Sequence, residues 1–532
     1  MAAALRDTCT GTMTPRPLPS RIRRTVVLAS IALALRAVGS HAAAPYFLIK
    51  VVDAETGRGV PLVELRTVSQ TLFVSDSSGF VAFSEPGLMG TPVHFSVRSH
   101  GYEYPRDGFG NSGVTLTPKA GGRAEVKLPR KNIAERIYRV TGEGIYRDSV
   151  LAGQPVPLRE PLLNAQVAGQ DSVQCATYRG KLFWLWGDTN RMRYPLGQFG
   201  TAGATSELPE HGGLAASKGI DLTYFTGTDG FSRPMWQLGE PGLVWTDGLT
   251  AVRDTKGSER LVARYARMKD LGNPLSQGIG AFDDEAGIFR RIREIPLAEK
   301  WRLPRGHSLR IKGADGDFIH FGNESALPMV RVKATYEALI EPSEFEAFTC
   351  IAAGAAFEGN ATRIERDAQG RPLYRWTRDA APLTQAQERT LIAAKLIPET
   401  DARWQVRDIE SGKPVAVHEG SVTWNDFLKR WVLVFVERGG TSFLGEVWFA
   451  EADTPLGPWR DARKIVTHDN YSFYGVAHHA FFDEAGGRFI YFEGTYTYTF
   501  TKNAVATPRY DYNQIMYRLD VADTRLRHPP SK

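Results

Sequence analysis

Short apolar runs and alternating apolar and polar positions dominate this chain, which is the pattern of β-strands. From about residue 166 onward, one unit recurs: a first strand, a short turn, and a very apolar second strand that ends near a polar residue. Five units can be counted, and their second strands fall at 181–187, 261–265, 316–324, 430–437 and 488–494. Such units, repeated around a ring, form a propeller whose sheets bury both faces. The pattern predicts an all-β chain with a five-bladed β-propeller over 166–525; a large β-sandwich or jelly roll is the alternative.

One long insertion interrupts the repeat, at about 336–413. Its segment 383–396 has helical spacing, and Pro398 follows as a stop signal. The last apolar run, 513–519, predicts a strand that completes a blade together with earlier chain.

The region before the repeat predicts a second, smaller β unit over 45–130. Its expected strands are 47–52, 60–65, 80–83, 93–97 and 124–128, separated by turns rich in Gly, Asp and Pro. The run V-D-x-x-T-G-x-x-V-P, followed by S-D-x-x-G, resembles the carboxypeptidase-regulatory-like domains of the transthyretin type. That resemblance implies an accessory β-sandwich. Residues 131–165 are expected to be a polar connector along the surface.

Residues 1–43 have the form of a secretory signal peptide. A basic flank at 21–24 precedes an apolar run at 25–35, which is too short to span a bilayer, and small residues follow. We therefore expect a secreted or periplasmic protein without a membrane anchor; a retained amphipathic anchor is the alternative. Without this segment the chain has 59 basic and 58 acidic residues, so its charge gives no reason to expect nucleic acid as a partner. Of the three cysteines, Cys175 and Cys350 are expected to be buried thiols; a disulfide between them is the alternative.

The first repeat unit, 169–190, carries the strongest candidate chemistry. Arg179-Gly180 reads as a two-residue turn, and the register counted from it places Asp171 directly opposite Asp188. Opposed residues have Cβ atoms about 5 Å apart, and like charges there destabilise a sheet. If both carboxyls enter a cleft, one pKa should rise while the other stays low, as an acid/base pair requires. Ordinary turn chemistry is the alternative.

Polar residues near the ends of the other blade strands should converge on the propeller axis. Together with nearby aromatic residues they predict an acidic, carbohydrate-binding funnel. The candidate substrate-binding residues are Gln170, Trp186, Asn190, His307, Glu324, His418, Glu419, Tyr474, His478 and Glu493. Ordinary core histidines are the alternative for each single His.

The run GQDSV…YRGKLFWLWGDTN resembles the endo-D-arabinanase type of propeller hydrolase, within the arabinanase- and fructosidase-like glycosidases. The resemblance implies that Asp171 and Asp188 are the catalytic pair and that the substrate is a polysaccharide or oligosaccharide containing arabinofuranose or a related sugar. We expect Asp171 to be the base or nucleophile and Asp188 the acid; their separation decides between retention and inversion.

Two other functions compete with this hydrolase: a non-catalytic sugar-binding propeller, and a lyase or lactonase with a metal on the axial histidines. No cofactor is expected to be required and no catalytic metal residue is assigned, although a structural calcium on the axis is considered. The protein is expected to be a monomer.

Overall fold

The computed structural model describes residues 45–323, 325–509 and 511–527. With 43% strand and 8% helix, the chain is all-β, as predicted. The signal peptide expected at 1–43 lies outside the described residues. Among those described, no helix combines the length and apolarity needed to span a bilayer.

Two facing sheets form the N-terminal β-sandwich. One has the strand order β4-β1-β7 and the other β3-β2-β5-β6. The strands are β1 (Phe47–Asp53), β2 (Glu64–Thr67), β3 (Leu72–Val74), β4 (Phe80–Phe83), β5 (Val93–Arg98), β6 (Gly113–Leu116) and β7 (Arg123–Leu128). The strand predicted at 60–65 begins only at Glu64, because Pro61 has no amide hydrogen and Leu62 adopts φ 59°. Strands β3 and β6 were not predicted.

The remaining strands begin in the predicted connector. The first of them are β8 (Glu135–Arg139), β9 (Val167–Gln170), β10 (Gln174–Tyr178), β11 (Lys181–Trp186), β12 (Thr189–Arg191), β13 (Tyr194–Gln198), β14 (Ala202–Glu207), β15 (Thr223–Tyr224), β16 (Leu243–Arg253), β17 (Glu259–Asp270), β18 (Asn273–Asp283) and β19 (Ile288–Ile295). The others are β20 (Leu309–Gly313), β21 (Gly316–Phe321), β22 (Val330–Lys333), β23 (Glu346–Thr349), β24 (Arg375–Thr377), β25 (Arg407–Asp408), β26 (Val417–Asn425), β27 (Arg430–Arg438), β28 (Leu444–Ala452), β29 (Asp461–Val466), β30 (Ser472–His478), β31 (Phe489–Thr497) and β32 (Asn513–Asp520).

Five of the sheets are the blades of the predicted propeller. Their orders are β10-β11-β14-β15, β16-β17-β18-β19, β20-β21-β22-β23-β24, β26-β27-β28-β29-β25 and β30-β31-β32-β8. Blade 5 closes the ring, because β32 pairs with β8 from the start of the domain. This confirms that the strand predicted at 513–519 completes a blade with earlier chain. A small extra sheet, β13-β12-β9, extends the first hairpin.

Two sequence boundaries need correction. The segment 131–165 is not simply a connector, because it contains β8, all of whose residues are buried. Its polar sequence is misleading: Arg136 of β8 donates to the Ser99 hydroxyl and the His100 carbonyl of the sandwich. The insertion 336–413 also contributes to the ring, since β23 and β24 complete blade 3 and β25 edges blade 4.

Helices are few and short in the described residues. They are α1 (Arg147–Leu151), α2 (Tyr336–Leu339) and α3 (Gln385–Ala393). The helix predicted in the insertion is confirmed as α3, which begins with a capping box between Thr384 and Gln387. Single 3-10 turns lie at Pro209–His211, Pro342–Glu344, Gly359–Ala361, Glu399–Asp401, Ala480–Phe482, Ala485–Gly487 and Thr524–Leu526.

Candidate active site

The hairpin of β10 and β11 has the predicted register. Tyr178 pairs with Lys181 at the turn, and β9 and β12 continue the same register beyond the far end. Asp171 and Asp188 therefore oppose each other, and the Asp171 amide donates to the Asp188 carbonyl at 3.2 Å. The predicted juxtaposition is confirmed.

The ladder is broken beside this pair, which frees both side chains to leave the sheet. Ser172 adopts φ 53°, an uncommon conformation for a residue other than glycine, and it separates β9 from β10. Across the ladder, Gly187 leaves room for the carboxyl: a Cβ at this position would lie 2.4 Å from Asp171 Oδ1. Glycine at 187 is thus what allows Asp171 its position.

Three further innermost strands have irregular pairing close to this level of the ring. A β-bulge re-aims side chains and is common next to active sites. The shifts fall between Asp247 and Thr250 in β16, between Val417 and Gly420 in β26, and between Tyr474 and Ala477 in β30. The irregular segments carry Asp247, Glu419 and Tyr474 into one cavity with the two aspartates.

This cavity, which we call the carboxylate cavity, has a volume of about 310 Å³. Every blade supplies lining residues, either from its strands or, for blade 3, from the segment that leads into β20. Its walls are formed by Asp171, Ser172, Val173, Gln174, Gly187, Asp188, Trp245, Thr246, Asp247, Arg264, Ala266, Leu271, Gly306, His307, Glu419, Tyr474, Gly475, Phe500 and Tyr512.

Each aspartate of the opposed pair accepts one side-chain hydrogen bond. Tyr474 Oη donates to Asp171 Oδ2 at 2.7 Å, and Trp245 Nε1 donates to Asp188 Oδ1 at 3.3 Å. These donors come from blades 5 and 2, so the ring itself orients the two carboxyls of blade 1.

The pKa of both carboxyls is raised. Burial raises the pKa of Asp171 to about 7, with a further contribution from the Asp188 charge. Burial also raises the pKa of Asp188, to about 6. The expectation that one value would stay low is wrong, because both groups lie in the same desolvated cavity. The pair titrates as a unit and holds a proton close to neutral pH.

Asp247 and His307 are two further titratable groups in the wall of the carboxylate cavity. Asp247 Oδ1 accepts from the amides of Gly248 and Gly306, at 2.9 and 2.7 Å, which ties blade 2 to the entry of blade 3. Burial lowers the pKa of His307 to about 4, against the opposing effect of the Asp247 charge. His307 is therefore neutral at physiological pH.

Three of the predicted substrate-binding residues reach this cavity: His307, Glu419 and Tyr474. His478 instead lines a second axial cavity of about 390 Å³, which we call the histidine cavity. Glu324 lies outside the described residues. The others do not line the carboxylate cavity; they are Gln170, Trp186, Asn190, His418 and Glu493.

Several of these residues have packing roles that explain their position. Gln170 is buried and bonds to Thr189 and Tyr224. Trp186 stacks on Trp184 in the core of blade 1. Glu493 is fully buried, with one oxygen 3.3 Å from His479 Nε2. These side chains pack in the sheets and between the blades and do not line the carboxylate cavity, so their part in substrate binding stays a prediction.

The sequence interpretation missed Trp245, Arg264, Leu271, Phe500 and Tyr512, which line the cavity. Trp245 had a usable signal: it precedes Asp247 by two residues on one strand, so the two share a face. Phe500 and Tyr512 lie in the segment between β31 and β32, where no periodicity reports direction.

Metal ligation gains no support within the described part of the chain, where no three His, Cys, Asp or Glu side chains are grouped to hold an ion. Glu419 lines the carboxylate cavity and His478 the histidine cavity, while His307 lines both. The axial calcium stays a prediction. Cys175 and Cys350 are free thiols, as expected; Cys350 is buried and Cys175 is partly exposed.

No known family profile matches the chain, and no curated protein matches it. Solved structures with a similar fold include a protein of Bacteroides ovatus, with 13% identity over 66% of this chain and 86% of that one, at a TM-score of 0.40. An exo-1,5-α-L-arabinanase from a bovine ruminal metagenome has 10% identity over 67% and 94%, at 0.32. A GH43_1 enzyme of Xanthomonas citri has 10% identity over 66% and 87%, at 0.29. These values are too low to assign this chain a family or a reaction.

Proposed function

We propose that the protein is a glycoside hydrolase whose catalytic pair is Asp171 and Asp188. The observation that carries this proposal is the opposition of two carboxyls in one axial cavity, both with a raised pKa and both held by a donor from another blade. Hydrolysis of a glycosidic bond requires one carboxyl that gives a proton and one carboxylate that attacks or activates water. A pair that shares a proton near neutral pH meets both requirements.

We assign Asp171 as nucleophile or base and Asp188 as acid. The 2.7 Å hydrogen bond from Tyr474 favours the ionised form of Asp171. Burial and the Asp188 charge act in the opposite direction and leave the pKa of Asp171, about 7, above that of Asp188, about 6, so in the free protein the shared proton favours Asp171. The assignment therefore requires that substrate binding moves the proton to Asp188, and the aryl-glycoside test below checks it. Asp188 then gives its proton to the glycosidic oxygen as the bond to the anomeric carbon breaks. In the same step or the next, water supplies the hydroxyl that replaces the leaving group, and its proton returns to the pair.

The charge of the cavity supports an uncharged glycan as substrate. Among the described lining residues there are four carboxyls, Asp171, Asp188, Asp247 and Glu419, and one guanidinium, that of Arg264. An excess of negative charge disfavours uronic-acid-rich chains. The resemblance of the first hairpin favours arabinofuranose-containing glycans within this class.

A glycan panel tests the proposal. The protein is incubated with D- and L-arabinans, β-1,3-galactan, xylan and polygalacturonate, and new reducing ends are measured. We expect release from a neutral glycan and loss of that release in Asp171→Asn and Asp188→Asn. The matched control is Asp520→Asn, which removes a carboxylate that pairs with Arg488 at the surface of blade 5.

The same panel separates the competing functions. Binding without release would indicate a sugar-binding propeller and would contradict the hydrolase. An ultraviolet-absorbing unsaturated product, or release abolished by chelator, would favour the metal-dependent lyase or lactonase.

Aryl glycosides with good leaving groups test the two roles. An acid is dispensable when the leaving group needs no proton, so Asp188→Asn should retain turnover of such substrates while Asp171→Asn should not. The reverse result would exchange the two assignments.

We also infer export to the periplasm or medium, where such glycans are met; cell fractionation of the full-length protein tests this.

A further inference from the structure

Phe500 combines strain with exposure at the mouth of the carboxylate cavity. Its φ is 64°, and a bulky residue in this left-handed region is a conformational outlier. The side chain is nevertheless 47% exposed, although it lines the cavity. Strained residues of this kind persist only when their surroundings hold them, and they cluster at ligand sites.

Asp511 holds the chain immediately before this strained residue. Its Oδ1 accepts from the Tyr498 amide at 3.2 Å and from the Thr497 hydroxyl, and its Oδ2 accepts from the Thr499 hydroxyl at 2.7 Å. One carboxylate thus fastens the three residues that precede Phe500. The segment is fixed by polar bonds, while the ring it presents is half open to solvent.

The Phe500 ring lies beside the catalytic pair. It makes an edge contact with Tyr474, with ring centroids 6.0 Å apart at 70°, and Tyr474 is the residue that donates to Asp171. Across another part of the wall, Leu271 stands at the turn between β17 and β18 and is 73% exposed. The mouth therefore presents apolar surface from blades 2 and 5 above a polar interior.

We propose that Phe500 is a stacking platform for the sugar ring adjacent to the bond that is cleaved, with Asp511 as its positioning residue. The proposal rests on the proposed hydrolase. Sugar rings have an apolar C–H face that packs against aromatic rings, and an exposed ring with a fixed orientation binds without first losing its own freedom. The stacked ring sets the substrate's depth relative to Asp171 and Asp188.

Binding is measured in the Asp171→Asn background, where turnover does not interfere. The probes are arabinofuranosyl oligosaccharides of the D and L series in increasing length, titrated by calorimetry. Phe500→Ala should weaken binding roughly tenfold, while Phe500→Tyr should keep affinity within about twofold of the parent. The matched control is Phe427→Ala, since Phe427 is 46% exposed in the turn between β26 and β27 and does not line the cavity.

A second variant separates a binding role from simple packing. Phe500→Gly removes the ring and also the strain, because glycine adopts positive φ freely. We expect this variant to unfold at a higher temperature than the parent and to lose affinity as Phe500→Ala does. A structural aromatic would instead leave the protein less stable on removal.

The outcomes are distinct. If wild type cleaves a neutral glycan but Phe500→Ala binds like Phe427→Ala, the platform is wrong and the hydrolase stands. If Phe500→Gly is less stable than the parent and still binds the probes with the parent's affinity, packing explains the residue and the platform is overturned. If the Asp171→Asn parent binds none of the probes and wild type releases nothing from any glycan of the panel, both proposals fail together.

Discussion

The two ends of the propeller axis are built from the same strands but differ in chemistry. At the carboxylate cavity the innermost strands are interrupted: Ser172 breaks the first hairpin, and register shifts follow in blades 2, 4 and 5. At the histidine cavity the same strands pair regularly. There His478 is held between Thr423, at 2.8 Å, and Asp483, at 2.9 Å.

The difference shows where this fold can hold reactive groups. A regular ladder keeps each side chain in its pleat, and a buried imidazole there bonds to neighbours that satisfy both ring nitrogens. An irregular ladder gives up pairing and turns side chains toward the axis. The carboxyls with raised pKa values lie only on the interrupted side of the described axis, so we place the chemistry there.

The largest effect should come from removing one carboxyl of the pair. Asp171→Asn and Asp188→Asn should each lower kcat by about 10³-fold on a natural glycan, because each deletes one half of the acid/base chemistry. Both variants should fold, since Asn keeps the shape of Asp. Initial rates and circular dichroism spectra check this.

The histidine cavity provides the contrast. Thr423→Val deletes the partner of His478 Nδ1 and should cost stability, by about 1 kcal/mol, with kcat within about twofold of wild type. A loss of rate at Thr423→Val as large as at Asp171→Asn would mean that the two ends do not differ in the way described.

A smaller but still large effect is expected from Gly187→Ala. The new methyl would lie 2.4 Å from Asp171 Oδ1, and the carboxyl is the flexible partner, so it must move. A displaced catalytic group costs about 10²-fold in rate, while the fold is retained. Kinetics and thermal unfolding of the same sample separate the two effects.

The control for this substitution is Gly108→Ala in the sandwich, where a Cβ would meet nothing within 4 Å. It should leave both rate and stability close to wild type. Wild-type kcat in Gly187→Ala would show that the position of Asp171 is not critical.

The sequence predicts the opposed pair because register is a local property. The turn at 179–180 fixes every pair up to Asp171 and Asp188, and the blades follow from their apolar strands. His307 reaches the cavity as predicted, but His418 could not be placed, because a bulge changes which neighbour faces inward: between Val417 and Gly420, Glu419 reaches the cavity and His418 does not. The position of Phe500 could not be predicted either. It depends on a loop conformation and on hydrogen bonds to Asp511, and a loop has no hydrophobic periodicity from which to infer them.

Tyr474→Phe should have an intermediate effect and a specific signature. The substitution deletes the 2.7 Å hydrogen bond from Tyr474 to Asp171. Because that bond favours the ionised form of Asp171, its loss should raise the pKa of this carboxyl further above its usual range. If Asp171 must be ionised to act, activity falls as pH drops through its pKa. The acid limb of the kcat/KM profile should therefore move to higher pH, with about a tenfold loss of rate at pH 6.

Tyr471→Phe is the matched control for that profile. The Tyr471 hydroxyl donates to the Val505 carbonyl at 2.8 Å and has no contact with the pair. Its acid limb should coincide with that of wild type. An unshifted limb in Tyr474→Phe would remove the argument that this hydrogen bond assigns Asp171 as nucleophile or base.

The smallest predicted effect is on stability. Asp171→Asn should stabilise the protein at alkaline pH although it lowers activity. Burial raises the pKa of Asp171 from about 4 in the unfolded chain to about 7, so between these values the folded protein binds more protons than the unfolded chain does. Its contribution to the free energy of unfolding therefore falls as pH rises from 4 to 7 and stays low above 7. Asp171→Asn carries no such ionisation, so it should be more stable than wild type at pH 8, by about 1 kcal/mol, and this gain should vanish toward pH 4. Denaturant unfolding at both pH values measures the difference; in Asp520→Asn, whose carboxylate is paired at the surface, no gain at pH 8 is expected. Equal stability of wild type and Asp171→Asn at pH 8 would mean that the carboxylate cavity is hydrated enough to hold the ionised Asp171 without a cost in free energy of unfolding. The contrast between the two ends of the axis would then lose its electrostatic basis.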